Sequence, residues 1–167
     1  MNENIIIRRF RHDDAPAVVN IIHRGLREIN SRDYPPDYIE ACCRHFSVDC
    51  IIRQADNNHM YVAESDGRIL GTGTIASYWG KEDESIILTF YVLVEHIGHG
   101  IGRAIMNALE RDEFFLRAKR IEIPSAVGAV GFYEKMGYVG KNSGKTPDEE
   151  GLVRLEKRRT LPKNFFV

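Results

Sequence analysis

The sequence has no apolar run approaching the ~20 residues of a membrane span. Its opening stretch, from Met1 to Asp14, turns charged after the three isoleucines Ile5 to Ile7, a pattern that fits no secretory signal. Charge of one sign is lacking too. Lys and Arg number 23 against 24 Asp and Glu, a formal net charge of −1, so no general attraction to nucleic acid or to an anionic membrane is expected. Cysteine is scarce: Cys42, Cys43 and Cys50 form an odd set in one segment without C-x-x-C spacing. That argues against a disulfide framework and a structural zinc site, and for reduced thiols. No internal repeat, low-complexity tract or linker is present. A soluble, cytoplasmic protein without a metal is the expectation, with residues 1–167 as a single domain, a length that can bury a core without staples.

What is present alternates between strand and helix patterns. Ile5 to Phe10 reads as a first strand. Asp13 is a plausible N-cap for a helix carrying Ala17, Val18, Ile21, Ile22 and Leu26. After the loop Arg32 to Pro36, a second helix carries Tyr38, Ile39, Cys42 and Phe46, with Pro36 in its first turn. Ser47 caps a third that ends near Asn57 and Asn58. His59 to Glu64 and Ile69 to Tyr78 form a hairpin around Ser65-Asp66-Gly67-Arg68. Gly80 to Asp83 makes the next connection, and Ser85 to Val94, the most apolar strand pattern, is predicted to be central. Ile101, Ile105, Leu109 and Leu116 share helical spacing. Arg120 to Ile123 is a short strand, Ala126 to Met136 a helix stopped at Gly137, and Tyr138-Val139 and Leu152 to Lys157 the last strands. The tail from Leu161 to Val167 fits no single element.

A glycine cluster, Gly98-His99-Gly100-Ile101-Gly102, lies between the most apolar strand and a helix, the junction where open sheets bind ligands. Alternating glycines let the backbone turn sharply and approach a ligand closely. The free amides and dipole of the following helix favour an anion such as a pyrophosphate, and Arg103 adds a charge. Neither the dinucleotide fingerprint nor the Walker A pattern is matched, and a plain strand-to-helix turn is the other reading of the cluster.

The neighbourhood is more specific. Phe90 to Met106, an apolar strand followed by the glycine turn and a helix, resembles the acyl-CoA motif of the GCN5-related N-acetyltransferase family. Ala129 to Tyr138, containing Phe132-Tyr133-Glu134-Lys135-Met136-Gly137-Tyr138, is similar to that family's second signature. The resemblance implies an α/β (α+β) fold with a splayed, mostly antiparallel mixed sheet flanked by helices, strands four and five parting around the pantetheine arm. It implies acetyl-CoA as co-substrate and no metal. The backbone near Phe90, Val92 and Val94 would bond the acetyl and pantetheine groups, and the amides across Gly98, His99, Gly100, Ile101, Gly102 and Arg103 the pyrophosphate. Phe132 and Tyr133 would flank the thioester. Ile97 stands where the motif has Gln or Arg. Ala126 stands where many members have Asn, with Ser125 as a substitute one residue earlier.

Acetyl transfer requires a neutral amine, a polarised carbonyl and a proton for the leaving thiolate. Tyr133 matches the family's usual acid. For the base, some members use a glutamate where Ile86 aligns here; Glu84, two residues earlier on the same strand face, is the first candidate, with Glu82, Glu95 or water as alternatives. His96 and His99 flank the turn, and their i, i+3 spacing lacks a third metal ligand. Tyr34, Tyr78, Trp79 and the segment Ile29 to Phe46 are candidates to line the pocket of a small-molecule amine or peptide acceptor. Homodimers are implied by the family only. A catalytically silent acyl-CoA sensor or scaffold is the alternative reading.

Overall fold

Two tight hairpins organise the middle of the chain, whose residues 4–161 are described by the structure, a computed structural model. Strand β2 (His59–Ser65) turns into β3 (Arg68–Tyr78) through Asp66 and Gly67, with φ of +49° and +78°. β3 turns into β4 (Lys81–Val92) through Trp79 and Gly80, at +47° and +76°. Paired left-handed residues give a turn whose twist matches that of its flanking strands. The first hairpin falls where it is predicted. The second corrects the connection expected at Gly80 to Asp83: the polar run from Lys81 belongs to β4, and Lys81 and Glu82 stay in water because the hairpin end projects past the core.

β1 (Ile6–Arg9) pairs with β2, and β5 (Arg120–Ser125) runs parallel to β4. With β6 (Val139–Gly140) and β7 (Val153–Arg158), the seven-stranded order is β1-β2-β3-β4-β5-β7-β6, antiparallel except at β4–β5. The mixed, mostly antiparallel α/β sheet is the predicted one, and β4 is central as its apolar pattern requires.

Helix α1 (Ala15–Glu28) begins after Asp14 rather than Asp13. The Asp14 carboxylate accepts from the Arg11 amide at 2.8 Å and pairs with Arg8 at 2.8 Å, so the helix start is pinned to β1. α2 (Pro36–His45) and α3 (Val48–Asn57) follow, and the Ser47 hydroxyl caps α3 by accepting from the Cys50 amide at 3.1 Å. The single helix expected from Ile101 to Leu116 is two, α4 (Ile101–Leu109) and α5 (Glu113–Leu116). Asp112 causes the break: its carboxylate accepts from the Phe114 amide at 2.8 Å and from the Tyr61 hydroxyl at 2.6 Å, restarting the chain as a new helix. The helix expected over Ala126 to Met136 is α6 (Val130–Lys135) behind a 3-10 turn, Val127–Ala129. Residues 162–167 of the ambiguous tail lie outside the described residues. Among the described residues no helix is long and apolar enough to cross a membrane.

Close approach sets the two faces of the sheet. A methyl group added at Gly71 or Gly73 of β3 would lie 2.8 Å from Ile105, so α4 rests directly on that strand. On the other face Tyr91 packs against α1, where a methyl at Gly25 would lie 2.8 Å from its ring. Ile21, Ile22 and Leu26 from α1 and Ile105, Met106 and Leu109 from α4 are buried against the sheet, each such side chain contributing about 1.5–3 kcal/mol.

The sheet opens at its centre. β4 and β5 pair only through Glu84–Ile86 and Arg120–Glu122. Beyond them, Thr89 and Phe90 of β4 stand opposite the single residue Gly73, since Leu88 pairs with Thr74 and Tyr91 with Thr72. This bulge bends β4. Thr89 takes a φ of +53° there, and its hydroxyl donates to Gln54 Oε1 of α3 at 2.5 Å. A side-chain tether from α3 thus supports a backbone conformation unusual for a β-branched residue.

Candidate active site

A cleft of about 770 Å³ occupies the gap between β4 and β5. Its β4 wall runs from Ile87 to Val92, and Ile123, Pro124, Ala126, Gly128 and Ala129 form the facing wall. From Ile87 onward β4 has no ladder partner on the β5 side, so its backbone groups there are available to a guest.

One end of the cleft is the glycine turn. Gly98 and Gly100 have φ of +84° and +86°, and an added methyl group would meet nothing within 4 Å at either. Glycine serves conformation there rather than space. At Gly102 the reason is contact: a methyl would lie 3.1 Å from the Phe132 ring, so the first turn of α4 sits close against α6. The first helical bond of α4 runs from the Ala104 amide to the Gly100 carbonyl, 3.0 Å. Amides ahead of it have no helical acceptor, and they face the cleft mouth with the positive end of the helix dipole. Arg103 and Lys135 also line the cleft, and neither has an ion-pair partner among the described residues.

Of the predicted site residues, Phe90, Val92, Gly98, Gly100, Gly102, Arg103, Ala126, Phe132 and Tyr133 are gathered in the cleft lining. Val94, His99, Ile101 and Ser125 are not. Val94 belongs to the 3-10 turn after β4, and His99 is exposed. Ile101 is 1% exposed, its side chain turned into the core. Ser125 is also buried, and its hydroxyl donates to the Ala126 carbonyl at 2.8 Å, so it is not directed into the cleft as an asparagine substitute.

Tyr133 is 5% exposed yet reaches the cleft. Phe90, Phe132 and Tyr138 surround its ring edge-on, with centroids 5.7, 5.3 and 6.4 Å away. Its hydroxyl has no hydrogen-bond partner among the described residues. Burial, and secondarily the Tyr91 phenol, push its pKa above the ordinary tyrosine value, so it stays protonated.

The predicted carboxylates lie elsewhere. Glu84 pairs with Arg120 and Lys81, both at 3.3 Å, and does not line the cleft. Burial would raise its pKa, but Arg120 and Lys81 outweigh that and hold it below the usual range. Glu82 is exposed, and Glu95 is engaged by Arg24 at 2.8 Å and Arg68 at 3.1 Å. Trp79 is 83% exposed at the hairpin tip, and Tyr78 stacks under Arg120, 4.8 Å from its centroid. Among the described residues no group of His, Cys, Asp and Glu is arranged to hold a metal ion.

The opposite end of the cleft is walled by α1, α2 and the loop before β7. Gly25, Leu26, Ile29, Asn30, Asp33, Tyr34, Tyr38, Cys42 and Phe46 line it with Leu152, so the segment Ile29 to Phe46 is where it is expected. Tyr34 stacks on Tyr38 with centroids 5.0 Å apart. The Tyr34 hydroxyl donates to the Gly151 carbonyl at 2.5 Å and accepts from the Val127 amide at 3.0 Å, while the Tyr38 hydroxyl donates to the Glu150 carbonyl at 3.2 Å. Burial first, then Cys42, pushes the Tyr38 pKa up to about 12. Leu88, Thr89, Pro124, Gly128 and Leu152 carry no motif in the sequence. Tyr38, Cys42 and Phe46 do carry a signal, a stripe of side chains at i, i+4 and i+8 on one helix face.

Comparison with known proteins bears on this cleft. The acetyltransferase (GNAT) family model matches residues 23–138. An S-(2-succino)cysteine N-acetyltransferase of Bacillus subtilis is 28% identical over 151 residues, covering 81% of this chain and 88% of that one. Among solved structures, the PaiA N-acetyltransferase of Thermoplasma acidophilum in complex with coenzyme A superposes with a TM-score of 0.81 at 16% identity, covering 93% of this chain and 99% of that one. A GCN5-related N-acetyltransferase structure from Rhodopseudomonas palustris gives 0.77 at 18% identity, covering 95% and 99%.

Proposed function

The chain belongs to the GNAT acetyltransferase family, and on that premise we propose that its cleft binds acetyl-CoA between β4 and β5 and that Tyr133 is the acid of the transfer. Acetyl-CoA-dependent transfer to an amine is the family activity, which makes the chain an enzyme rather than a silent sensor. The donor supplies an acetyl group activated as a thioester.

The observation that carries the site assignment is the coincidence of three features in one cleft. β4 has no ladder partner on its β5 side from Ile87 on, the free amides of α4 face one end, and an unpartnered buried phenol stands between. Amides at the glycine turn and Arg103 would hold the pyrophosphate. Amides on the bulged part of β4 would hold the pantetheine arm and polarise the carbonyl. The amine nitrogen attacks the thioester carbon, the C–S bond breaks, and the Tyr133 hydroxyl gives its proton to the departing sulfur. The amine proton leaves through water, since Glu84, Glu82 and Glu95 lie outside the cleft lining, and a proton returned from that water to the Tyr133 phenolate restores the phenol. Apolar walls assist by disfavouring the ammonium form.

The finer acceptor belongs to this proposal. The name of the B. subtilis relative points to an acidic amino acid; an amine without carboxylates is the other class. A homodimer and a cytoplasmic setting rest on the family and on composition, and sedimentation and cell fractionation decide them. Thiol release from acetyl-CoA with a primary amine tests the acid. Tyr133→Phe should lower kcat by ~10²-fold or more, and a kcat within about threefold of the intact protein would remove Tyr133 from the mechanism.

A further inference from the structure

The acceptor end of the cleft has a one-sided chemistry. Resting on the reading that acetyl-CoA occupies the other end, the acceptor meets mostly apolar and aromatic side chains, Leu26, Ile29, Tyr34, Tyr38, Phe46 and Leu152, with the uncharged Asn30 and Cys42 among them. The two tyrosine hydroxyls there are already committed, Tyr34 to Gly151 and Val127 and Tyr38 to Glu150. Their exposed contribution is ring surface.

Among the described residues no cation lines this end. Arg103 and Lys135 stand on α4 and α6, at the cofactor end. Nearby arginines are spoken for: Arg27 pairs with Glu40 at 2.9 Å, and Arg154 with Asp148 at 2.7 Å and Glu150 at 3.1 Å. Arg32, beside Asp33, is exposed and does not line the cleft. The charged side chain that does line it is Asp33, which has no ion-pair partner among the described residues. It stands across the mouth from Gly128, where a methyl group would lie 3.1 Å from Asp33 Oδ2.

We infer that the acceptor is a primary amine with an apolar aromatic or alkyl body and no carboxylate. Such a body fills the ring-lined wall by area burial and aromatic contact. A carboxylate there would lose water, find no cation and face Asp33, an arrangement that selects against it. The pocket therefore differs in chemistry from one suited to an acidic amino acid.

Competition kinetics test this. The intact protein is given acetyl-CoA with 2-phenylethylamine or with S-(2-succino)cysteine, and kcat/KM is measured for each, while calorimetry follows acetyl-CoA binding in the same preparation. The apolar amine should lead by at least about tenfold. Asp33→Asn should move the ratio toward the acidic amine by ~3-fold or more, through loss of repulsion. Equal or better use of the acidic amine, transfer to neither, or a ratio unmoved by Asp33→Asn, all with acetyl-CoA binding intact, overturns the acceptor class alone. Loss of acetyl-CoA binding in the intact protein would instead overturn the reading of the cleft on which it rests.

Discussion

The hydroxyl of Tyr34 accepts the amide proton of Val127 at 3.0 Å, joining the turn after α1 to the turn after β5 across the mouth of the cleft. The same oxygen donates to the carbonyl of Gly151, in the loop before β7, at 2.5 Å. One phenol therefore ties together three segments distant in sequence, two on the acceptor wall and one beside the proposed path of the donor. Gly151 matches it: a methyl there would lie 3.0 Å from the Tyr34 ring.

Removing that hydroxyl should loosen the mouth without emptying it. Tyr34→Phe keeps the stacking on Tyr38 and loses two hydrogen bonds, a destabilisation of about 1–3 kcal/mol. KM for the acceptor should rise more than kcat falls, because Tyr133 is untouched. Denaturant unfolding with steady-state kinetics checks both. Unchanged KM with lowered stability would make the tie a fold feature only.

Glycines on the two sides of the site should respond with opposite signs. Gly73 lies under α4, where an added methyl would be 2.8 Å from Ile105 and 3.1 Å from Phe90. Gly73→Val should destabilise by about 1–3 kcal/mol through overpacking. Gly131 lies inside α6 with nothing within 4 Å of an added methyl. Gly131→Ala should stabilise by ~0.4–1 kcal/mol, since alanine adopts the helical backbone there and narrows the unfolded ensemble. Thermal midpoints of both variants decide the matter; a shift of the same sign in each would contradict the packing described.

Stability should fall in acid in a window set by lowered carboxylates. For Asp14, burial opposes ionisation, but Arg8 and the Arg11 amide outweigh it and its pKa is lowered. Glu122 behaves alike: burial opposes, Lys141 and Arg120 prevail. A carboxyl depressed in the folded state contributes stability above its unfolded value, about 4, and loses it as pH falls through the folded value. Unfolding free energy should thus be flat from neutrality to ~pH 5 and drop below ~pH 4. Asp14→Asn should be less stable than the intact protein near neutrality, with the gap narrowing in acid. A gap that stays constant down to ~pH 3 would separate the Arg8–Asp14 pair from the acid transition.

Much of the fold is legible in the residues that carry it. The strand alternation, the Asp66-Gly67 turn, the Ser47 cap and the stop at Gly137 are local signals, and each element they mark is present. The errors arise where a distant partner decides. Lys81 to Asp83 reads as loop until β3 is there to pair with the hairpin end. Asp112 reads as a helical residue until Tyr61 and His59 claim its carboxylate. At the site, glycines and aromatics with backbone roles are readable because φ and contact are written in residue type. Ser125 and Glu84 mislead because what a side chain faces depends on neighbours, here the Ala126 carbonyl and Arg120, that no local pattern reveals. The bulge at Thr89 leaves no sequence mark, because the tether that supports it comes from Gln54.

Titration calorimetry with acetyl-CoA shows whether the glycine turn binds the donor, comparing the intact protein with Gly100→Glu and with Gly100→Ala. Both variants carry the strain of a side chain at a φ of +86°, about 1–2 kcal/mol, and thermal melts confirm that each is folded. Only the glutamate sets a negative charge before the free amides of α4. Saturable binding to the intact protein, weaker binding to Gly100→Ala, and a loss of ~100-fold or more in Gly100→Glu are expected. No binding to the intact protein, or equal affinity in Gly100→Glu, would contradict it.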